Sequence, residues 1–130
     1  MIIAFIDDGT VEVCGDLAEA QREHEGIDVE NGIVEFYSED GVWLEPVFVE
    51  PNRRGDLLFG FGWVESGSFR LEPRPERLDR PIWRALARHP HAGELGAFPS
   101  IGDLRAHLAG RGVQVNPPDG WVDDDPTGPA

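Results

Sequence analysis

The chain has 130 residues, of which 40% are hydrophobic and 28% are charged. This size and balance are typical of one globular domain. No apolar run reaches the length of about 18 residues that a membrane-spanning helix needs. The net charge of −14 disfavours binding to nucleic acid or to anionic membranes, and it favours basic partners.

The N-terminal segment is apolar, and we do not expect it to act as an export signal. Met1–Ile6 is too short for a signal peptide and is followed at once by Asp7 and Asp8. Cys14 is the only cysteine, so no disulfide can form within the chain. We therefore expect a cytoplasmic protein, with no cofactor.

Acidic and basic residues are unevenly distributed. Residues 1–52 hold 14 acidic residues and one arginine, whereas residues 53–115 hold seven acidic residues and ten arginines. Residues 116–130 add four aspartates and no basic residue. A basic patch between Arg70 and Arg88 includes Arg74, and from Arg77 its arginines recur at the spacing of one solvated helix face. We expect this patch to form ion pairs with the acidic N-terminal part.

The first elements are predicted to be a hairpin and a helix. The β-prone runs Ile2–Ile6 and Thr10–Val13 flank an Asp-Asp-Gly turn. Asp16 caps a helix that extends to Glu25, and Glu19 three residues later completes a capping box. At spacings of three and four, the carboxylates from Asp16 to Glu23 form an acidic stripe on this helix.

Four more strands are predicted at close spacing, over Ile33–Ser38, Val42–Val49, Leu57–Val64 and Ser68–Leu71. The short turns between them favour an antiparallel meander. Because Pro46 has no N–H to donate, its strand must carry a bulge or a free edge there. Within Leu57–Val64, large side chains alternate with glycines, which predicts one core face and one face open to close approach.

Two later helices complete the prediction. One covers 79–89, with Asp79 as its cap and Pro81 in its first turn. The other begins after Ser100 and ends at Gly110. We also expect a short last strand over Val113–Val115. The overall prediction is an α+β fold, an antiparallel β-meander of five to six strands with three helices packed on it. The domain spans 1–115, and 116–130 form a flexible acidic tail rich in Pro and Gly.

No motif for catalysis stands out, so we expect no catalytic residues and no enzyme. His89, His91 and Glu94 offer three metal-ligand types, but nothing nearby completes a site and we expect no metal. Cys14 closes a strand, where a small buried hydrophobe is its expected role, although sequence alone leaves a Cys–His pair open. The acidic residues Asp7, Asp8 and Glu12 match no calcium-loop spacing.

The stretches Phe36–Phe48 and Gly62–Leu71 resemble the small acidic immunity proteins of bacterial polymorphic-toxin loci. The resemblance covers size, acidity and layout over most of the chain. It implies a cytoplasmic antitoxin that binds and blocks one cognate toxin domain. Many such toxins are basic and act on nucleic acids, and an acidic inhibitor suits a basic cleft.

If the protein is such an inhibitor, its partner surface is predicted to centre on the Ile33–Val49 hairpin. Tyr37 and Trp43 are the candidate anchors, and a core position for Trp43 is the alternative. The predicted partner-binding residues are Glu35, Tyr37, Glu39, Asp40, Trp43, Glu45 and Glu50.

Two other functions stay open. One is an acidic mimic of nucleic acid that blocks a DNA-binding protein. The other is a small metal-binding enzyme built around His89, His91 and Cys14. The leading prediction has no nucleic acid, membrane or small-molecule substrate among its partners.

Overall fold

A computed structural model describes residues 1–24, 28–29, 32–49, 53–56, 62–65, 67–90, 95–96 and 98–122, with the backbone alone for 23, 53–56 and 62–65. The strands are β1 Ile2–Ile6, β2 Val11–Cys14, β3 Val34–Ser38, β4 Trp43–Phe48, β5 Arg53–Asp56, β6 Gly62–Glu65 and β7 Phe69–Pro73. Within these described ranges the helices are α1 Leu17–Glu23, α2 Ile82–Arg88 and α3 Ile101–Gly110.

Five strands form one antiparallel sheet in the order β2-β1-β3-β4-β7. Ile2 pairs with Cys14 on one side and with Ser38 on the other, so β1 lies between β2 and β3. β5 and β6 pair with each other as a separate antiparallel hairpin. The prediction of an α+β fold, with a meander-like antiparallel sheet and three helices, is confirmed.

The pairing of β3 with β4 is short. Tyr37 pairs with Trp43 and Phe36 with Leu44, and the ladder then stops before Pro46. β4 nevertheless continues along β7 as far as Phe48. The free edge predicted at Pro46 is therefore present, since proline has no N–H to donate to β3.

Helices cover both faces of the sheet because strand side chains alternate between faces. Ile3 and Phe5 of β1 belong to a core closed by α2 and α3, whereas Ile2 and Ala4 belong to a second core that includes Ala20 of α1. The first core contains Ile3, Phe5, Val11, Tyr37, Trp43, Ile82, Ala85, Leu86, Leu95, Leu104 and Leu108. The second contains Ile2, Ala4, Cys14, Ala20, Val29, Val34, Phe36, Leu44, Phe69 and Leu71.

Two helix starts agree with the sequence. Asp16 Oδ1 accepts a hydrogen bond from the Glu19 N–H at 2.8 Å, and the Glu19 carboxylate accepts one from the Gly15 N–H. Ser100 Oγ accepts from the Asp103 N–H at 3.2 Å. These contacts satisfy N–H groups that have no partner within their own helix.

The start of α2 differs from the prediction. The helix begins at Ile82 with Pro81 as its N-cap and has no side-chain cap. Asp79 does not cap it because its two oxygens accept from Nε and NH2 of Arg77, each at 2.9 Å. Arg77 and Arg80 consequently precede the helix, and the expectation that they share one helix face with Arg88 was wrong.

Two other parts of the predicted β structure also differ. The stretch 53–56, expected to be a loop, is strand β5. Val113–Val115 is not a strand: the Val113 N–H donates to Leu108 O at 3.1 Å and closes the end of α3. Residues 57–61, which carry the predicted alternation of large residues and glycines, lie outside the described residues.

The segment after Val115 lies against the helices. Arg105 donates from NH2 to Val115 O at 2.8 Å and to Asn116 Oδ1 at 3.0 Å. The Trp121 ring meets the Trp83 ring of α2 edge to face, at 5.3 Å between centroids. The first part of the predicted tail is thus in contact with the domain, and 123–130 lie outside the described residues.

Candidate functional site

The β3–β4 hairpin, Val34–Phe48, holds six of the seven predicted partner-binding residues, and the seventh, Glu50, lies outside the described residues. Its four carboxylates each have a cationic neighbour. Glu35 meets Arg80 NH1 at 3.1 Å, and Glu45 meets Arg74 Nε at 2.6 Å. Arg111 NH2 meets Asp40 at 2.7 Å, while Glu39 lies 3.7 Å from Arg111 Nε and 3.4 Å from His107 Nε2. The predicted pairing of later arginines with the acidic N-terminal part is confirmed for Arg74 and Arg80, whereas Arg77 pairs with Asp79 and Arg70 with Glu72.

The two candidate anchors of this hairpin are buried. Tyr37 is 2% exposed and packs edge to face on Phe5, and Trp43 is 8% exposed. Burial raises the pKa of the Tyr37 hydroxyl, and the charge of Glu35 adds to the increase. The structure thus settles the alternative for Trp43, which is a core residue.

The segment that covers Trp43 is the strap, which we define as residues 74–80. Arg77 and Arg80 place their guanidinium carbons 5.0 and 4.5 Å from the centre of the Trp43 ring. Arg74 holds the start of the strap to the sheet through Glu45 and Glu72, and these hydrogen bonds raise the pKa of Arg74. Cation–π contact and ion pairing together close the strap over the ring.

One outer edge of the sheet, at β2, carries a different set of carboxylates. We call this region the acidic edge; it lies on the outermost strand β2, the turn before it and the first turn of α1. In the part of the chain that the structure describes, none of its carboxylates forms an ion pair with an arginine. The acidic edge comprises Asp7, Asp8, Glu12, Asp16 and Glu19.

Four carboxylates of the acidic edge have a described contact, with Thr10, with His24 or with main-chain N–H groups. Asp8 accepts from the Thr10 hydroxyl at 2.6 Å and from the Thr10 N–H at 2.9 Å, and these bonds hold the pKa of Asp8 below its usual value. Glu12 Oε2 lies 3.2 Å from the buried Nε2 of His24, without the alignment of a hydrogen bond. Asp16 and Glu19 cap α1.

An apolar side chain interrupts the acidic edge. Leu17 lies between Asp16 and Glu19 in the chain, and 42% of its surface is exposed. An exposed leucine with carboxylates around it has the composition of a small contact point within a charged rim.

The histidines and the cysteine do not assemble a metal site in the described residues, where no group of three suitable ligands occurs. Both ring nitrogens of His89 lie 2.8 Å from main-chain carbonyl oxygens. Cys14 is fully buried. His91 and Glu94, the other two residues of the candidate set that the sequence analysis weighed, lie outside the described residues. Among the helices described here, none is long and apolar enough to cross a membrane.

A scan of protein-family models, a search of curated proteins and a search of solved structures each find no match to this chain. The acidic edge was not selected from the sequence as a partner surface, although the signal was present: residues 7–19 contain five carboxylates and no basic residue.

Proposed function

We propose that this protein is an inhibitor that acts by binding, and that its acidic edge docks on a basic surface of a partner protein. One observation carries the proposal. The hairpin carboxylates have cationic partners inside the molecule, whereas in the described chain those of the acidic edge have no arginine partner. Carboxylates on an exposed margin without a described arginine partner are the part of the surface that a basic partner experiences most strongly.

The carboxylates and the exposed leucine of the acidic edge have different roles in binding. Its carboxylates accelerate association with a basic protein, since electrostatic complementarity acts mainly on the association rate. Leu17 supplies the apolar contact whose desolvation slows dissociation. Asp16 and Glu19 on either side are fixed by their capping bonds, so little side-chain freedom is lost when a partner binds.

The class of partner follows from charge and from the resemblance to immunity proteins. We propose a cognate bacterial toxin domain in the cytoplasm, with a basic cleft or rim that the acidic edge covers. Toxins that act on nucleic acids have basic substrate clefts, and an acidic protein seated there excludes the substrate. Docking at the β3–β4 hairpin, as the sequence predicted, stays an alternative prediction to docking at the acidic edge.

Partner capture followed by inhibition tests the proposal. The full chain, immobilised, is exposed to lysate of its native host at low salt, and mass spectrometry identifies the bound proteins. The expected result is one predominant basic protein whose toxic or enzymatic activity falls when the chain is added in equimolar amount. Many unrelated basic proteins, all released by moderate salt, would instead indicate a nucleic-acid mimic. Capture of a partner whose activity is unchanged would contradict inhibition.

A matched pair of variants ties the result to the surface. Leu17→Ala should speed dissociation of the captured partner by about tenfold if Leu17 is the apolar contact. Leu78→Ala is the control, because Leu78 is 86% exposed but lies on the strap, far along the chain from the acidic edge. Equal dissociation rates for the two variants would count against docking at Leu17.

A further inference from the structure

His89 joins the end of α2 to the end of β1 from a buried position. Its Nδ1 lies 2.8 Å from Ala85 O, and its Nε2 lies 2.8 Å from Ile6 O. Only 4% of the residue is exposed. Its own N–H donates to Leu86 O at 3.1 Å, so main chain and side chain together cap α2 and connect it to the sheet.

The two carbonyl contacts determine the charge of the ring. A carbonyl oxygen only accepts hydrogen bonds, and a neutral imidazole carries one N–H and one lone pair. In either neutral tautomer of His89, one ring lone pair would face a carbonyl lone pair at 2.8 Å. The imidazolium cation, with a proton on each nitrogen, donates to both oxygens.

Charged, polar and aromatic groups lie around His89 on several sides. Ala85 lies in the last turn of α2, where carbonyls lack partners within the helix and the helix dipole is negative. Asp8, in the turn after β1, is close enough for the His89 charge to lower its pKa further, beyond the larger effect of Thr10. The Phe5 ring lies 5.2 Å from the His89 ring. Arg84 and Arg88 on the same helix oppose the positive charge, and 91–94 lie outside the described residues.

We propose that His89 is a proton-dependent lock, which as an imidazolium holds α2 to β1 and as a neutral ring releases one of the two contacts. The folded chain then binds this proton more tightly than the unfolded chain does. Unfolding releases the proton at pH values between the two titrations, so stability falls as the pH rises through that interval. Below it both states are protonated, and the contribution of the lock is fully present.

Titration of the histidine ring nitrogens by NMR tests the lock without altering the protein. The full chain, labelled with nitrogen-15 in histidine, is titrated from about pH 5 to 9 when folded and again when unfolded in urea, where histidine titrates near 6.5. The expected result is that folded His89 keeps a proton on both nitrogens to higher pH than the unfolded chain. One unprotonated ring nitrogen in the folded protein at about pH 6, or equal titration in both states, would overturn the proposal.

Unfolding measurements give an independent readout. In the interval between the two titrations, release of one proton lowers the folding equilibrium constant about tenfold per pH unit. His89→Gln should remove this dependence, because its side chain does not titrate and cannot donate in two opposite directions. His107→Gln, which alters a half-exposed histidine beside Glu39, should keep it. Wild-type stability that stays level or rises from about pH 6 to 9 would overturn the lock, even if His89→Gln fails to fold.

Discussion

The β3–β4 hairpin and the acidic edge are both rich in carboxylates, yet the fold surrounds them differently. On the hairpin, Arg74, Arg80 and Arg111 arrive from the second half of the chain and neutralise Glu45, Glu35 and Asp40. Along the acidic edge, Asp8 closes a turn and Asp16 and Glu19 cap a helix, and within the described residues none of the edge carboxylates has an arginine partner. Charge density along the chain therefore does not locate a docking surface. Location depends on which charges the tertiary structure leaves uncompensated.

The distinction matters most at a distance. Salt screens electrostatic fields beyond about 8 Å at physiological ionic strength. The field of a close ion pair falls off with distance faster still, because its two opposite charges nearly cancel. An approaching basic protein therefore experiences the acidic edge more strongly than the paired hairpin. By this account the hairpin serves stability and the acidic edge serves recognition.

The largest expected difference between the hairpin and the acidic edge is in how much their apolar residues contribute to the free energy of unfolding. Trp43→Ala should destabilise the fold by about 3–5 kcal/mol, because it removes a buried aromatic side chain and the ring that Arg77 and Arg80 cover. Leu17→Ala should change stability by less than about 0.5 kcal/mol, because the side chain is exposed. Urea unfolding of both variants measures the difference. A mild effect of Trp43→Ala would mean that the hairpin aromatic is not structural.

A second comparison uses the turns of the two regions. Gly41 and Gly9 both have positive φ, +80° and +94°. A Cβ on Gly41 would lie 2.8 Å from Val113 and 3.2 Å from Ile82, whereas no described atom lies within 4 Å of one on Gly9. Gly41→Ala should therefore cost about 2–3 kcal/mol and Gly9→Ala only the backbone strain of about 1 kcal/mol. Equal melting temperatures would show that the hairpin turn is not packed on the helical layer.

A third comparison removes three charges from each region. The hairpin variant Glu35→Gln, Asp40→Asn, Glu45→Gln loses three arginine contacts and should lose about 1–2 kcal/mol, since each partly exposed pair contributes less than 1 kcal/mol. The edge variant Asp7→Asn, Asp16→Asn, Glu19→Gln keeps side chains that can cap and should be as stable as wild type or slightly more stable. Chemical denaturation at low salt measures both. A less stable edge variant would mean that these carboxylates are structural.

The smallest effect is expected at the C-terminal segment. Trp121→Ala should cost about 1 kcal/mol through the lost edge-to-face contact with Trp83. Val122→Ala, at a residue that is 76% exposed, is the matched control and should have no measurable effect. Thermal unfolding distinguishes them. If both variants melt like wild type, the segment contributes nothing to the domain.

Local signals predicted much of this fold. The Asp-Asp-Gly turn, the caps at Asp16 and Ser100 and the ladder break at Pro46 depend on a few neighbouring residues, so sequence spacing was enough. The cap at Asp79 failed because Arg77, two residues away, is a stronger partner for the carboxylate than the helix N–H groups. Val113–Val115 has a strand-like composition, but a hydrogen bond to Leu108 ends α3 there instead.

The candidate surface was harder to predict because it depends on long-range pairing. Glu35 and Arg80 are 45 residues apart, and Asp40 and Arg111 are 71 apart. Composition indicated that such ion pairs would form, but it did not indicate which carboxylates would be left without an arginine partner. Trp43 is a second example. Strand alternation predicts that Trp43 and Glu45 share one face of β4, but it does not predict that the strap and the helices bury the Trp43 end of that face.

The most direct test of the central claim is the association rate of the captured partner with the two triple variants. Both variants lose three negative charges, so they match in net charge and differ in where the charge is removed. The account predicts that the edge variant associates about tenfold more slowly at low ionic strength and with a weaker salt dependence, while the hairpin variant stays within about twofold of wild type. Slower association of the hairpin variant, with the edge variant unchanged, would contradict the account and place docking on the hairpin.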